Sequence, residues 1–279
     1  MSSKKFFCIR GYMKSGTNWV CRILNQHPDI DCIGEFHWET FFRTLQQNVS
    51  NVAPQRRERI DSVVRPELEL MVKRCLESLA RPDTNWIGDR TPTTIAPVVM
   101  KEAPHIVVVR DFRDVIVSRM FHLYNHPRVT SVFDNFPQMK KRLDQFQQNR
   151  WYFRDHPEQL LDNEEIVRDS AREWSEFLDS DLETCRGNTE LPVLHVSYEQ
   201  LHANFESESN RLFAALGLET PEISNEVRPG HEVENPDQPN RKGQIGDWKN
   251  YLNDNAKRWI QAEAGTHLQR LGYIQSADW

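Results

Sequence analysis

Lys5-Phe6-Phe7-Cys8-Ile9-Arg10-Gly11-Tyr12-Met13-Lys14-Ser15-Gly16-Thr17-Asn18-Trp19-Val20-Cys21-Arg22-Ile23-Leu24 decides how this 279-residue chain reads. Lys5–Ile9 is apolar and partly aromatic, the composition of a buried strand. After Thr17 the apolar residues Val20, Ile23 and Leu24 return at helical spacing. Between strand and helix lies a polar turn carrying Gly11, Lys14, Ser15 and Gly16. Glycines let backbone N–H groups turn toward one point, and a helix N-terminus adds partial positive charge. Lys14 adds a full charge, so the turn is suited to an anion such as a phosphate. It is not a Walker A loop, in which the lysine directly follows the last glycine. Here Lys14 precedes Gly16 by two positions, which argues against an ordinary ATPase or GTPase.

Two later segments have the same character. Ile106–Val109 is a continuous β-branched run, as in a central parallel strand. Arg110 follows at its C-terminal end, where ligands bind in open α/β sheets. Asp111 or Asp114 begins the next helix, and Val115, Ser118 and His122 follow at helical spacing, so Arg110 and Ser118 can converge on one anion. The competing role for Arg110 is a salt bridge to Asp111 or Asp114. The third segment is Arg241-Lys242-Gly243-Gln244-Ile245-Gly246-Asp247-Trp248-Lys249-Asn250. Its two adjacent cations and two glycines, after a Pro/Asn-rich stretch, predict a mobile basic loop and not a helix.

Lys14-Ser15-Gly16-Thr17-Asn18-Trp19 after a strand resembles the 5′-phosphosulfate loop of sulfotransferases that use 3′-phosphoadenosine 5′-phosphosulfate (PAPS). The Arg110-to-Ser118 segment is similar to that family's 3′-phosphate motif, R-x-x-x-D-V-x-V-S, with the same spacing. The Arg241 segment is similar to its late R-K-G-x-x-G-D-W-K motif. All three occur in the family order and span most of the chain. The resemblance implies PAPS as donor substrate, no metal, and Lys14 as the catalytic lysine. It implies nucleotide contacts from Lys14, Ser15, Gly16, Thr17, Asn18, Trp19, Arg110, Ser118, Arg241, Lys242 and Gly243. Tyr198, in His195-Val196-Ser197-Tyr198-Glu199, resembles a strand-end tyrosine near the nucleotide. For Trp19, packing below the loop is the alternative.

A hydroxyl acceptor also needs a base. One branch of the family carries a histidine before the 3′-phosphate strand. The matching segment here is Gly88-Asp89-Arg90-Thr91-Pro92, and an arginine cannot serve as base near neutral pH. A second branch, of tyrosylprotein, heparan and bacterial carbohydrate sulfotransferases, uses a glutamate soon after the first helix. His27-Pro28-Asp29-Ile30-Asp31-Cys32-Ile33-Gly34-Glu35 resembles that arrangement and points to Glu35, with Glu39, Asp89 and His37 as competitors. The family's dimer motif is not kept: the positions counted from Lys249 hold Asn253, Asp254 and Arg258.

Composition agrees. The length suits one α/β domain, residues 1–279, with a central parallel β-sheet flanked by helices and a P-loop-like phosphate-binding loop. A formal charge of −6 disfavours nucleic acid as a general partner. No apolar window spans a bilayer, and the N-terminus carries no signal-peptide core. Five scattered cysteines without C-x-x-C spacing predict reduced thiols and a cytoplasmic protein.

Further strands are expected at Ile30–Ile33, Asn85–Ile87 and Val193–Val196. Helices are expected at Trp38–Asn48, about Arg56–Leu79, Val98–Lys101, Gln138–Phe153, Glu164–Cys185, Phe205–Leu216 and Asn255–Leu271. Pro127–Pro137 reads as a loop. In the Arg56–Leu79 helix, Val63, Leu68, Val72, Leu76 and Leu79 form the apolar stripe.

The aromatics Phe36, Trp38, Phe41, Phe42, Phe121 and Tyr124 either line an acceptor pocket or belong to the core. His122 and His126 lie four apart, with no third metal ligand in view. Two other functions stay open at this point: a P-loop kinase-like phosphotransferase, which would need magnesium, and a non-catalytic module that binds adenosine 3′,5′-bisphosphate (PAP). The acceptor, a small molecule or carbohydrate offering a hydroxyl or amine, is not named by the sequence, nor is the oligomeric state.

Overall fold

The Lys5 strand forms the centre of a five-stranded parallel sheet. The computed structural model describes residues 4–52, 55, 57–95, 100, 102–126, 133, 135–229, 243–276 and 279. In chain order its elements are β1 (Lys5–Gly11), α1 (Thr17–Leu24), β2 (Ile30–Cys32), α2 (Trp38–Val52), α3 (Arg57–Leu79), β3 (Trp86–Arg90), β4 (His105–Val109), α4 (Phe112–Asn125), α5 (Pro137–Gln148), α6 (Tyr152–Asp155), α7 (Glu164–Gly187), β5 (Val193–Ser197), α8 (Tyr198–Ala203), α9 (Phe205–Ala214) and α10 (Asp254–Arg270). The strand order is β2-β3-β1-β4-β5, with every neighbouring pair parallel. The α/β class expected from the sequence is the one observed. The chain divides into two compact units, Met1–Val109 with Phe177–Arg228, and Arg110–Glu176 with Pro229–Trp279.

The first unit holds the sheet. Successive side chains of a strand point to opposite faces. Phe7 and Ile9 of β1 therefore pack with Val20, Ile23 and Leu24 of α1 and with Leu212 and Phe213 of α9. Cys8, between them in sequence, packs with Phe42 of α2 and with Leu68, Val72 and Leu76 of α3. Helices thus cover both faces. The strand order reverses at β1, and in such sheets the crevice beyond the carboxyl ends of the strands at the reversal is where ligands bind. β1 runs into the Tyr12–Gly16 turn, and Arg110 is the residue after β4. Gly11 is needed for close approach, because a Cβ there would sit 2.6 Å from the Val108 carbonyl oxygen.

Several elements differ from expectation. β3 continues through Asp89 and Arg90 instead of turning at Gly88, because they pair with Cys8 and Ile9 of β1, and Arg90 N–H also donates to Gly34 O at 2.8 Å. Val63 and Leu79 do not join the stripe on α3: they are 62% and 60% exposed, while Leu68, Val72 and Leu76, four apart, face the sheet. The helix expected at Gln138–Phe153 breaks at Asn149, whose extended backbone ends α5 and whose side chain accepts Trp151 N–H at 3.0 Å. α8 begins directly after β5 because the Ser197 hydroxyl caps Gln200 N–H. The expected Val98–Lys101 helix and most of the Pro127–Pro137 loop lie outside the described residues. No helix among the described residues is long and apolar enough to cross a membrane.

A charge cluster is buried in this unit. Arg10 and Asp89, on adjacent strands, pair at 2.9 Å with both side chains almost fully covered. Arg10 also donates to Thr91 O, and the Thr91 hydroxyl donates to Asp89. Removing one member of such a pair leaves an uncompensated buried charge, which costs about 3–5 kcal/mol.

Asp181 of α7 is buried as well. It accepts Ile95 N–H at 2.7 Å through Oδ1, and its Oδ2 has no partner among the described residues. Burial pushes its carboxyl from 3.8 up to about 6, against the Ile95 N–H and Arg10, which favour the charged form. Between those values the folded chain keeps a proton that the unfolded chain has released. Stability therefore falls as pH rises through this window, by about 3 kcal/mol in total. Asp181→Asn keeps an oxygen for Ile95 and should raise Tm near pH 7 by roughly 5 °C, with little change near pH 4. Identical melting curves at neutral pH would show that Asp181 carries no such strain.

Candidate active site

The turn between β1 and α1 is closed by Ser15 N–H donating to Tyr12 O at 3.1 Å. Lys14 takes its third position with a φ of 69°. That left-handed conformation costs a non-glycine residue about 1–2 kcal/mol, and such strain gathers at functional sites. His37, with φ of 54°, is the one other non-glycine residue in this region among the described residues. Gly16 caps α1 at φ 103° and offers its first turn no side-chain partner. A Cβ on Gly16 would lie 2.5 Å from Tyr198 Cδ2, so the tyrosine ring sits against the loop's backbone. Ser15 is buried, and its Oγ has no partner among the described residues. Thr17 is buried and Asn18 exposed.

Trp19 is buried and packed against neighbouring elements. Its indole N–H donates to Val227 O at 2.7 Å, and its ring stacks on Phe205 and meets Tyr198 edge-on.

Alternation along β3 sends Asp89 and Arg90 to opposite faces. Asp89 is taken by Arg10, whereas Arg90 donates to Glu35 Oε2 at 3.0 Å. Glu35 follows the β2 edge, three residues ahead of α2, and is 36% exposed. Its Oε1 lies 3.3 Å from His37 Nε2, and His37 Nδ1 lies 3.4 Å from Glu39 Oε1. Glu39 is buried at the far end of this row. The four base candidates are thereby sorted. Asp89 is enclosed in an ion pair, Glu39 is buried behind His37, and Glu35 and His37 reach solvent.

The second unit carries the Arg110 segment. Asp111 caps α4, accepting Arg113 N–H, and grips the Arg113 guanidinium through both oxygens. Asp114 accepts Gly246 N–H at 2.7 Å and Trp248 N–H at 3.0 Å. Arg110, buried, donates to Gln244 O at 3.0 Å. Burial raises the Asp114 carboxyl above its ordinary value, against Arg110 and the two N–H groups, which favour the charged form. Ser118 lies two turns along α4 and is half-buried. Gly243 has φ of 62°, and Asp247–Asn250 forms a 3-10 turn. Arg241 and Lys242 lie outside the described residues.

The aromatics divide. Phe42, Phe121 and Tyr124 are core, whereas Phe36 stacks on Trp38 beside Glu35 and Phe41 is 55% exposed. The His122 and His126 rings meet at 4.3 Å. Among the described residues no group of three or more His, Cys, Asp or Glu is arranged to hold a metal ion.

Sequence reading did not anticipate the Arg90–Glu35 contact, the Arg10–Asp89 pair or the Gln244 carbonyl. A charged Arg10 inside an apolar strand was the available signal for a buried carboxylate partner.

The profile of the sulfotransferase domain matches residues 5–272, so the chain belongs to the sulfotransferase family and is a sulfotransferase. That one profile covers sequence from both units. Among solved structures, the chain is similar to mouse sulfotransferase SULT7A1 complexed with PAP: 17% identity over 96% of this chain and 87% of that one, with a TM-score of 0.52. It is also similar to a sulfotransferase from Alicyclobacillus acidocaldarius, at 16% identity over 100% and 99% of the two chains, with a TM-score of 0.47. No curated protein matches the sequence.

Proposed function

We propose that the chain, acting as one domain over residues 1–279, moves a sulfuryl group from PAPS to a hydroxyl or amine of a small-molecule or carbohydrate acceptor. The observation that carries this reading is the β1–α1 turn. A strained lysine, a buried Ser15 hydroxyl with no partner among the described residues and a helix start without a side-chain cap are what an anionic phosphosulfate would satisfy. The residues present fit the donor. Lys14, Ser15, Gly16, Thr17 and Asn18 would hold the 5′ end, and Trp19 supports the loop from below. Tyr198 braces Gly16, beside the nucleotide. Arg110, Ser118, Arg241, Lys242 and Gly243 would hold the 3′-phosphate. The family membership and a structural neighbour complexed with PAP support the same donor. Five free cysteines suit a reducing, cytoplasmic setting.

When bound, PAPS supplies the sulfuryl group and its phosphate leaving group. Lys14 meets the negative charge that grows on that leaving oxygen, a stabilisation absent from the ground state. Glu35 takes the acceptor's proton as the acceptor oxygen bonds to sulfur. Arg90 fixes the orientation of the Glu35 carboxylate while leaving it lone pairs to receive a proton. Phe36 and Trp38 offer the acceptor an apolar flank next to that base. Lysine, arginine and backbone N–H groups carry the anion's charge, so turnover should persist in a chelator; a P-loop kinase-like reaction would stop.

Arg110→Ala tests the 3′-phosphate assignment. A charge-assisted contact is worth about 1.5–3 kcal/mol, so PAP affinity should fall roughly 10- to 100-fold while 5′-AMP affinity barely moves. Equal losses for both nucleotides in calorimetric titrations would make Arg110 a structural residue.

A further inference from the structure

We infer that Asp114 is a positioning residue for 3′-phosphate recognition, acting through the backbone of Gln244–Trp248 on the Arg110 guanidinium. The inference rests on the donor reading above and adds to it a residue with no direct contact to the nucleotide.

The geometry is a closed circuit within the second unit. Arg110 precedes α4 and donates to Gln244 O at 3.0 Å. Two residues further on, Gly246 N–H donates to Asp114 Oδ2 at 2.7 Å, and Trp248 N–H donates to Oδ1 at 3.0 Å. Asp114 lies in the first turn of α4, four residues after Arg110. Its two oxygens thus fix the segment whose carbonyl orients Arg110. Asp114 is 2% exposed, so water does not replace these bonds cheaply. Gly246 has φ of 79°, a backbone shape that presents its N–H to the carboxylate and favours glycine.

A second strap holds the same segment. The Arg113 guanidinium, gripped by Asp111, lies 4.1 Å from the Trp248 ring centre and 4.7 Å from that of Trp279. Trp279 is itself tied by its indole N–H to Gln261 Oε1 at 2.6 Å. The guanidinium packs against both rings, which meet edge-on at 5.5 Å, and keeps Trp248 seated, and with it the N–H that Asp114 receives. Asp111 and Asp114, three residues apart, therefore act together, since each fixes part of the segment against which Arg110 is set.

A side chain that positions Arg110 affects the ligand that Arg110 reads and leaves the rest of the nucleotide alone. The readout is the ratio of PAP to 5′-AMP affinity, measured by calorimetry on the full chain. Asp114→Asn keeps the shape but removes one acceptor and the charge facing Arg110. It should reduce the ratio roughly tenfold, chiefly through PAP. Trp279→Ala loosens the second strap without touching Asp114 or Arg110 and should lower the ratio in the same direction by a smaller factor. It keeps the inference testable if Asp114→Asn fails to fold. A merely structural role would lower melting temperature or both affinities together and leave the ratio unchanged; that result in the folded variants overturns the inference. If the wild-type chain itself prefers PAP no more than 5′-AMP, the donor reading fails and the inference falls with it. Wild-type preference for PAP with an unaltered ratio in both variants removes only the role of Asp114.

Discussion

Lys14→Ala is expected to slow the transfer step by two to three orders of magnitude while PAP affinity falls only modestly. Removing one preorganised donor from a developing oxyanion costs about 10²–10³ in rate. The loss should fall on kcat, because in the proposed reaction Lys14 meets charge that appears mainly in the transition state. The strained backbone sharpens the expectation. Lys14 holds a left-handed conformation that a glycine would adopt without cost, so on the proposed role the position needs the lysine for its ammonium and not for the turn. Lys14→Gly should therefore be as slow as Lys14→Ala and no less stable. Single-turnover rates and PAP titrations measure both quantities, and an unchanged rate constant in either variant would remove Lys14 from the chemistry.

The second large effect is expected at Glu35. Glu35→Gln keeps an oxygen for Arg90 but removes the basic site. It should lower kcat by about two orders of magnitude or more with little change in PAPS affinity. Asp89→Asn should behave differently. Its partner is the buried Arg10, so its cost is stability rather than turnover. The neighbouring row Glu35–His37–Glu39 supplies the decisive comparison. If Glu35→Gln stays near wild-type activity while His37→Ala is inactive, the base is the imidazole oriented by Glu39, and the Glu35 assignment is wrong.

How much of this was legible beforehand varied with the range of the contacts involved. The β1–turn–α1 unit could be read from residues 5–24, because its strand run, glycines and helical spacing are all local. The parallel character of the sheet followed from alternation of strands and helices. The limits of β3 did not follow, because Asp89 and Arg90 join the strand by pairing with Cys8 and Ile9 of β1, far away in sequence. The same distance hid the fate of the carboxylates. Asp89, Glu35 and Glu39 look alike in sequence, but Asp89 is paired with the buried Arg10, Glu35 meets Arg90 at the surface, and Glu39 is buried beside His37. On α3 the stripe was overextended at Val63 and Leu79, since spacing alone does not say where the sheet beneath a helix ends. Asp114 was visible within the R-x-x-x-D-V motif, but its acceptor role depends on Gly246 and Trp248, 132 and 134 residues later.

The central claim is that this sulfotransferase takes its group from PAPS and passes it to a hydroxyl or amine. Its most direct test is incubation of the wild-type chain with sulfur-labelled PAPS and a panel of phenols, sugars, lipid alcohols, peptides and amines, in the presence of a chelator. The account expects labelled product from at least one acceptor class, with PAP released in equal amount, and loss of both in Lys14→Ala. Tight PAPS binding with no label transferred to any acceptor would contradict it and leave a nucleotide-binding module in its place.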